Sequence, residues 1–241
     1  MCSIACAHSL RTPRRCAVVM QKKSGRERKE RERALKNSKI PESVIRRLPL
    51  YLRNLEQLRD RQVDTISSAS LAQELDANPA QIRKDLAYFG EFGQKGIGYN
   101  VPYLTSKIRD ILNLNQPLRV ALVGAGRLGM ALCHYNSNLH NNVHIVAVFD
   151  TDENKWGTKV GGITVHPVAE LPAVIATHMI RTAVIAVPRE AAQTVTDQLV
   201  EAGVVAILNF APTPLRVPAN VRVRTTDFTS ELQSLAYYTL A

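Results

Sequence analysis

From Pro41 onward the chain alternates short apolar clusters with polar stretches, and the period of that alternation changes along its length. Val44, Ile45, Leu48, Leu52, Leu55 and Leu58 recur at three- and four-residue intervals. That spacing predicts one stripe of an amphipathic helix, opened by Pro41 and closing near Arg61. The stretch from Asp64 to Ser68 supplies turn and cap chemistry, so Ser67 or Ser68 is expected to cap a short helix with Leu71 and Leu75 inward. Asn78 and Pro79 suit the cap and first turn of a third helix running to Phe89. Its Ile82, Leu86 and Phe89 are expected to face inward, leaving Gln81, Arg83, Lys84 and Asp85 on or near the outer faces. Four glycines between Gly90 and Gly98 then read as a tight hairpin with Lys95 at its tip. Tyr103, Leu104, Ile108, Ile111, Leu112 and Leu114 form a closing helix, ended by Asn115-Gln-Pro117.

Beyond residue 117 the pattern becomes short, nearly unbroken apolar runs separated by helical stretches. Residues 119–123, 144–149, 182–187, 204–208 and 221–224 read as strands, the first with the character of a buried parallel strand. A helix containing Met130, Leu132 and Tyr135 follows the first strand. A helix from Glu190 to Ala202 follows the third, with Gly203 suited to its end. Ser230 to Leu240 is expected as a final apolar helix. This βα rhythm predicts an open parallel sheet.

Two motifs give the pattern chemical meaning. Two short helices joined by a tight turn, followed by a glycine hairpin, are the arrangement of a winged helix-turn-helix. Gln81, Arg83 and Lys84 on the second helix, and Lys95 on the wing, carry donors for purine edges and phosphates. In the second half, Gly124-Ala125-Gly126-Arg127-Leu128-Gly129 directly follows a strand and opens a helix, the context that G-x-G-x-x-G requires. Gly124 allows the tight turn, Gly126 close approach of a pyrophosphate, and Gly129 close helix–strand packing. Asp150 ends the next strand, 21 residues past Gly129. A carboxylate there accepts from a ribose hydroxyl and repels a 2′-phosphate, favouring NAD(H) over NADP(H); Arg127 is a minor counter-signal. The loops at Pro188 and after Leu208 lie at carboxyl ends of strands, where ligands bind.

Charge changes the picture less than its total suggests. The 241 residues carry a formal net charge of +10, which points to a polyanionic partner. Residues 1–40, however, hold 12 Lys/Arg against 3 Asp/Glu, so the remainder stands at +1, as does segment 41–116. The basic segment 1–40 reads as a disordered extension. Translation starting at Met20 is a second reading, and an arm adding non-specific phosphate contacts is a third; the first two are preferred, since charge runs are usually solvated. No apolar run approaches the ~20 residues that span a bilayer. Cys2, Cys6, Cys16 and Cys133 form neither a disulfide framework nor a zinc pattern, which favours a reducing cytoplasm and no metal. None of the six histidines sits in a recognisable acid–base pair, and no substrate domain follows the nucleotide fold. A dinucleotide held without a place for chemistry reads as sensing, with no catalytic residue.

Residues 41–241 resemble the Rex family of redox-sensing transcriptional repressors. The likeness runs through Ile45-Arg-Arg-Leu-Pro49, residues 81–93, Gly96-Ile-Gly-Tyr99, residues 123–129, Leu208-Asn-Phe-Ala-Pro212 and Glu231-Leu-Gln-Ser-Leu235. It covers residues 41–241; the extension has no counterpart. The resemblance implies an α/β homodimer: a winged-helix DNA-binding domain over 41–116, a Rossmann NAD(H)-binding domain over 117–225, and a C-terminal helix over 226–241 exchanged between subunits. It implies that NADH, as a regulatory ligand that is not consumed, releases the dimer from a palindromic double-stranded operator, and that NAD+ competes and favours DNA binding. It assigns a switch to Arg53, Tyr135 and Asp227, with Asp227 partnering Arg53 or Tyr135 in alternation, and places Phe228 near the nicotinamide end. Ala87 replaces a common Ser in the recognition helix, and the stretch around His166 is less regular than the family pattern.

Two other classes compete with this reading. An NAD-dependent enzyme with a helical appendage would turn over a simple alcohol or hydroxy acid. A CoA-binding Rossmann-like module would prefer CoA to NADH, although Asp150 at the ribose position argues against it.

Overall fold

The computed structural model describes residues 40–94, 96–137 and 142–240. Lys95 and residues 1–39 of the extension, with its three cysteines, lie outside the described residues. The chain divides into two compact units, one ending at Leu112 and the other beginning at Asn113.

The first unit is helical with a small sheet. Helix α1 (Glu42–Asp60) buries Val44, Leu48, Tyr51, Leu52, Leu55 and Leu58, although Pro49 lies within it. Ile45, expected inward, is 40% exposed, because the buried stripe passes through Val44 and Tyr51 instead. Strand β1 (Thr65–Ile66) leads into α2 (Ser68–Glu74), whose N-cap Ser67 accepts the Ser70 N–H at 2.9 Å. Helix α3 (Pro79–Ala87) is capped by Asn78, which accepts the Ala80 N–H at 2.8 Å, and Pro79 opens it where an unpaired N–H would otherwise stand. Phe89 lies beyond its end and is only half-buried. Strands β2 (Gly93–Gln94) and β3 (Gly98–Asn100) make the expected hairpin. The sheet has a third member, because β1 pairs antiparallel with β3, Thr65 opposite Asn100 and Ile66 opposite Tyr99. Helix α4 (Val101–Ile111) begins two residues before the expected Tyr103, since Asn100 caps it and Pro102 fits its first turn; Leu112 and Leu114 fall outside it. Arg109 of α4 donates to Glu56 of α1 at 2.6 Å.

Asp85 corrects the expectation most sharply. It was expected on or near an outer face of α3, yet it is fully buried. Its carboxylate accepts from Arg47 Nε at 2.5 Å, Arg47 Nη2 at 2.8 Å, Tyr51 Oη at 2.6 Å and Gln81 Nε2 at 2.6 Å. Four donors satisfy its four acceptor positions, so the charge is tolerated inside.

The second unit is built on a seven-stranded sheet. Its strands are β4 (Leu118–Val123), β5 (Val143–Asp150), β6 (Lys159–Val160), β7 (Ile163–Pro167), β8 (Thr182–Ile185), β9 (Ala206–Asn209) and β10 (Arg222–Thr225), ordered β10-β9-β8-β4-β5-β7-β6. All pairings are parallel except that of β6 with β7. The reversal of strand order falls between β4 and β8, as in a Rossmann fold. Helices α5 (Arg127–Ser137), α6 (Leu171–His178), α7 (Arg189–Glu201) and α8 (Phe228–Ala236) complete the unit. Along β4, Ala121 and Val123 pack with Leu171, Ile175 and Leu199, while Val120 and Leu122 pack with Cys133 and Val165. Two buried faces explain why such strands read as unbroken apolar runs. The expected final helix divides: α8 stops at Ala236 and a short 3-10 turn, Tyr237–Leu240, follows.

Candidate functional site

The crevice at the carboxyl ends of β4 and β8 is shaped by the three motif glycines, each differently. Gly124 has φ +103°, and a Cβ there would lie 2.5 Å from the Ala186 carbonyl oxygen, so the turns after β4 and β8 pack on one another through a glycine. A Cβ on Gly129 would lie 1.9 Å from the Gly124 carbonyl oxygen, which is the close helix–strand approach. Gly126 is the opposite: a Cβ there meets nothing within 4 Å. That open space lies at the first turn of α5, whose N–H groups have no intrahelical acceptor. An anion fits such a place, and the exposed Arg127 stands beside it.

Asp150 faces the same turn. Its Oδ2 accepts the Ala125 N–H at 2.7 Å and Lys155 Nζ at 3.1 Å, and its Oδ1 accepts the Asp152 N–H at 2.9 Å. Burial pushes the carboxyl up, but the backbone donors and Lys155 outweigh it and hold Asp150 below the ordinary aspartate range. With three of roughly four acceptor positions taken, room remains for one further donor such as a hydroxyl. Lys155 escaped sequence reading; its place five residues after Asp150, on a 3-10 turn, was the available signal. Pro188 is exposed and precedes α7 directly. Asn209, fully buried, holds the loop after β9: its Oδ1 accepts the Ala211 N–H at 2.9 Å, and its Nδ2 donates to the Ala211 and Thr213 carbonyls.

Phe228 is 74% exposed at the start of α8. Asp227 caps that helix, accepting from the Thr229 N–H at 3.0 Å and the Ser230 hydroxyl at 2.7 Å. The Ser230 hydroxyl is the main reason its carboxyl is held low. Tyr135, in the same unit, is not its partner among the described residues. Tyr135 is exposed on α5, and Arg53, exposed on α1, makes no ion pair among the described residues. Leu232, Leu235, Tyr237 and Tyr238 are also more than half exposed.

On the winged unit, α3 presents Arg83 and Lys84 at the surface. Arg83 Nη1 donates to the Ser68 hydroxyl at 2.8 Å. Gln81 is half-buried against Asp85, and Arg47 and Tyr51 behind it had no role in the sequence reading. Lys95, the expected wing contact, lies outside the described residues. Cys133 is buried, and burial pushes its thiol up to about 11, leaving it inert at neutral pH. Among the described residues no cluster of His, Cys, Asp or Glu is placed to hold a metal, and no helix is long and apolar enough to cross a membrane.

Comparison with known proteins matches both units. A family described as "Putative DNA-binding protein N-terminus" covers residues 39–87, and one described as "CoA binding domain" covers residues 115–213. The redox-sensing transcriptional repressor Rex of Brevibacillus brevis is 55% identical over 203 residues, 84% of this chain and 98% of that protein. The Rex protein of Pelotomaculum thermopropionicum is 46% identical, over 84% and 95%. Among solved structures, RSP in complex with beta-NAD+ and operator DNA is 36% identical with a TM-score of 0.78, covering 83% of this chain and 92% of that one. RSP in complex with beta-NADH gives 33% identity and a TM-score of 0.73, covering 83% and 94%.

Proposed function

This chain belongs to the Rex family of redox-sensing transcriptional repressors, and from that premise we propose how its residues do the work. It is a DNA-binding repressor, not an enzyme, whose hold on an operator answers to the NADH/NAD+ ratio. The observation that carries this reading is the open cradle over Gly126 beside the Asp150 carboxylate, in a chain whose other unit is a winged helix. The site fits a dinucleotide: a helix N-terminus and Arg127 for the pyrophosphate, and a carboxylate for a ribose hydroxyl. Gly124, Ala125, Gly126, Arg127, Leu128 and Gly129 would hold the pyrophosphate, Asp150 the ribose, and Pro188 and Phe228 the nicotinamide end. Bound there, the ligand supplies only differential affinity for two conformations.

Gln81, Arg83, Lys84 and Lys95 would meet the operator. Asp227 would be the switch, because one carboxylate cannot serve Arg53, Tyr135 and its own helix cap in a single geometry. Coupling of ~1–3 kcal/mol would change operator affinity about 5–150-fold. The exposed apolar face of α8 supports a helix that leaves its own subunit to pack in a homodimer, and a bacterial repressor of this family works in the cytoplasm. The test is nucleotide binding measured against operator release in one titration: NADH releases the operator and NAD+ opposes it. CoA binding tighter than NADH would overturn the assignment and favour the class named by the domain family over 115–213.

A further inference from the structure

Gln81 lies in the first turn of α3, the part of a recognition helix that meets base edges. Its side chain is not free to present either end. Nε2 donates to Asp85 Oδ1 at 2.6 Å, one helical turn along the same face. Asp85 in turn is locked from behind by Arg47 and Tyr51, themselves one turn apart on α1. An ionised carboxylate accepts hydrogen bonds and donates none. Turning the amide over would set Oε1 against Asp85, oxygen against oxygen, so the pair has one orientation. Oε1 is left over. No donor meets it among the described residues, and it is not sealed away, since Asn54 Oδ1 is the one buried side-chain acceptor without a partner among them.

Burial of an ion pair is weak grounds for stability, since apolar residues of similar volume often serve as well. A charge placed directly behind a reading residue has a second use. Resting on the DNA-binding reading above, we propose that Asp85 is a positioning residue for base readout: by holding Nε2 of Gln81 it points Oε1 into the major groove and selects a base carrying an exocyclic amino group there, adenine before cytosine. Adenine offers N6–H to Oε1 and N7 to the second hydrogen of Nε2, whereas cytosine offers N4–H alone. Guanine and thymine place a keto oxygen against Oε1. Arg47 and Tyr51 keep the carboxylate ionised: burial alone would raise the pKa of Asp85, but the donors around it bring it below the ordinary value.

The experiment selects bound duplexes from a pool randomised across one operator half-site, using the full chain with NAD+ present. Wild type, Gln81→Ala and Asp85→Asn are compared by sequencing the bound pools. The wild type should enrich adenine, then cytosine, at one position by about tenfold over guanine or thymine. Gln81→Ala should flatten that position alone. Asp85→Asn, whose amide can donate as well as accept, should relax the same position while the others keep their preference. A merely structural Asp85 would lower affinity for all sequences alike and leave the base preferences unchanged. If Asp85→Asn does not fold, Gln81→Ala decides. Unchanged selectivity in Gln81→Ala, or guanine or thymine favoured at the position it flattens, overturns the proposal. A wild-type pool with no enrichment anywhere overturns the repressor reading beneath it.

Discussion

Gly126 and Gly129 stand three residues apart in the same turn, yet a side chain at each meets opposite surroundings. Gly126→Val adds methyl groups to open space, so the protein should keep its melting temperature while NADH affinity falls more than tenfold, or about 1.4 kcal/mol. Gly129→Ala drives a methyl group into the Gly124 carbonyl and should cost roughly 1–3 kcal/mol of stability before any effect on ligand is seen. Thermal unfolding and NADH fluorescence titration separate the two. These glycines were legible in sequence because the motif is local. Asp85 was not: Tyr51 is 34 residues away and Arg47 is 38, so helical periodicity alone left the carboxylate outside.

At the scale of elements, the clamp between α1 and α3 ties stability to protonation. Asp85 titrates below its ordinary value of 3.8 in the folded protein, so its contribution is complete above that value and fades as pH falls through the folded one. Removing the carboxylate with Asp85→Ala leaves Arg47 and Tyr51 without their partner and should cost on the order of 3 kcal/mol near neutral pH. The gap from wild type should narrow as urea unfolding is repeated at progressively lower pH; a constant gap would contradict it. Recognition should be lost separately: Lys84→Ala, at the surface of the same helix, should weaken operator binding by about 1–3 kcal/mol if it reaches a base, without moving the unfolding midpoint. Helices and caps were the legible elements, since Ser67, Asn78 and Asn100 announce themselves. Two-residue β1 has too few positions to show alternation, and its identity comes from pairing with β3 across 33 residues or more. Strand β7 and helix α6 were missed because only Val165 of the one and Leu171 and Ile175 of the other are fully buried, too little for a periodic signal.

For the whole molecule, the +10 charge is a poor guide, since the residues beyond 40 are close to neutral. Specific groups, doubled in a dimer, would then carry recognition, and a body with little excess charge lets go of DNA readily. Exposed Phe228, Leu232, Leu235, Tyr237 and Tyr238 should leave solvent on dimerisation, so a chain ending before residue 226 should sediment as a monomer. One carboxylate at the start of α8, that of Asp227, would link nucleotide to DNA. The most direct test is fluorescence anisotropy of a labelled operator, titrated across NADH:NAD+ ratios at fixed total nucleotide, with wild type and Asp227→Ala side by side. Wild type should release the operator as NADH rises, and Asp227→Ala should bind nucleotide and operator yet fail to connect them. Release by NADH that is the same in both proteins would rule out Asp227 as that link.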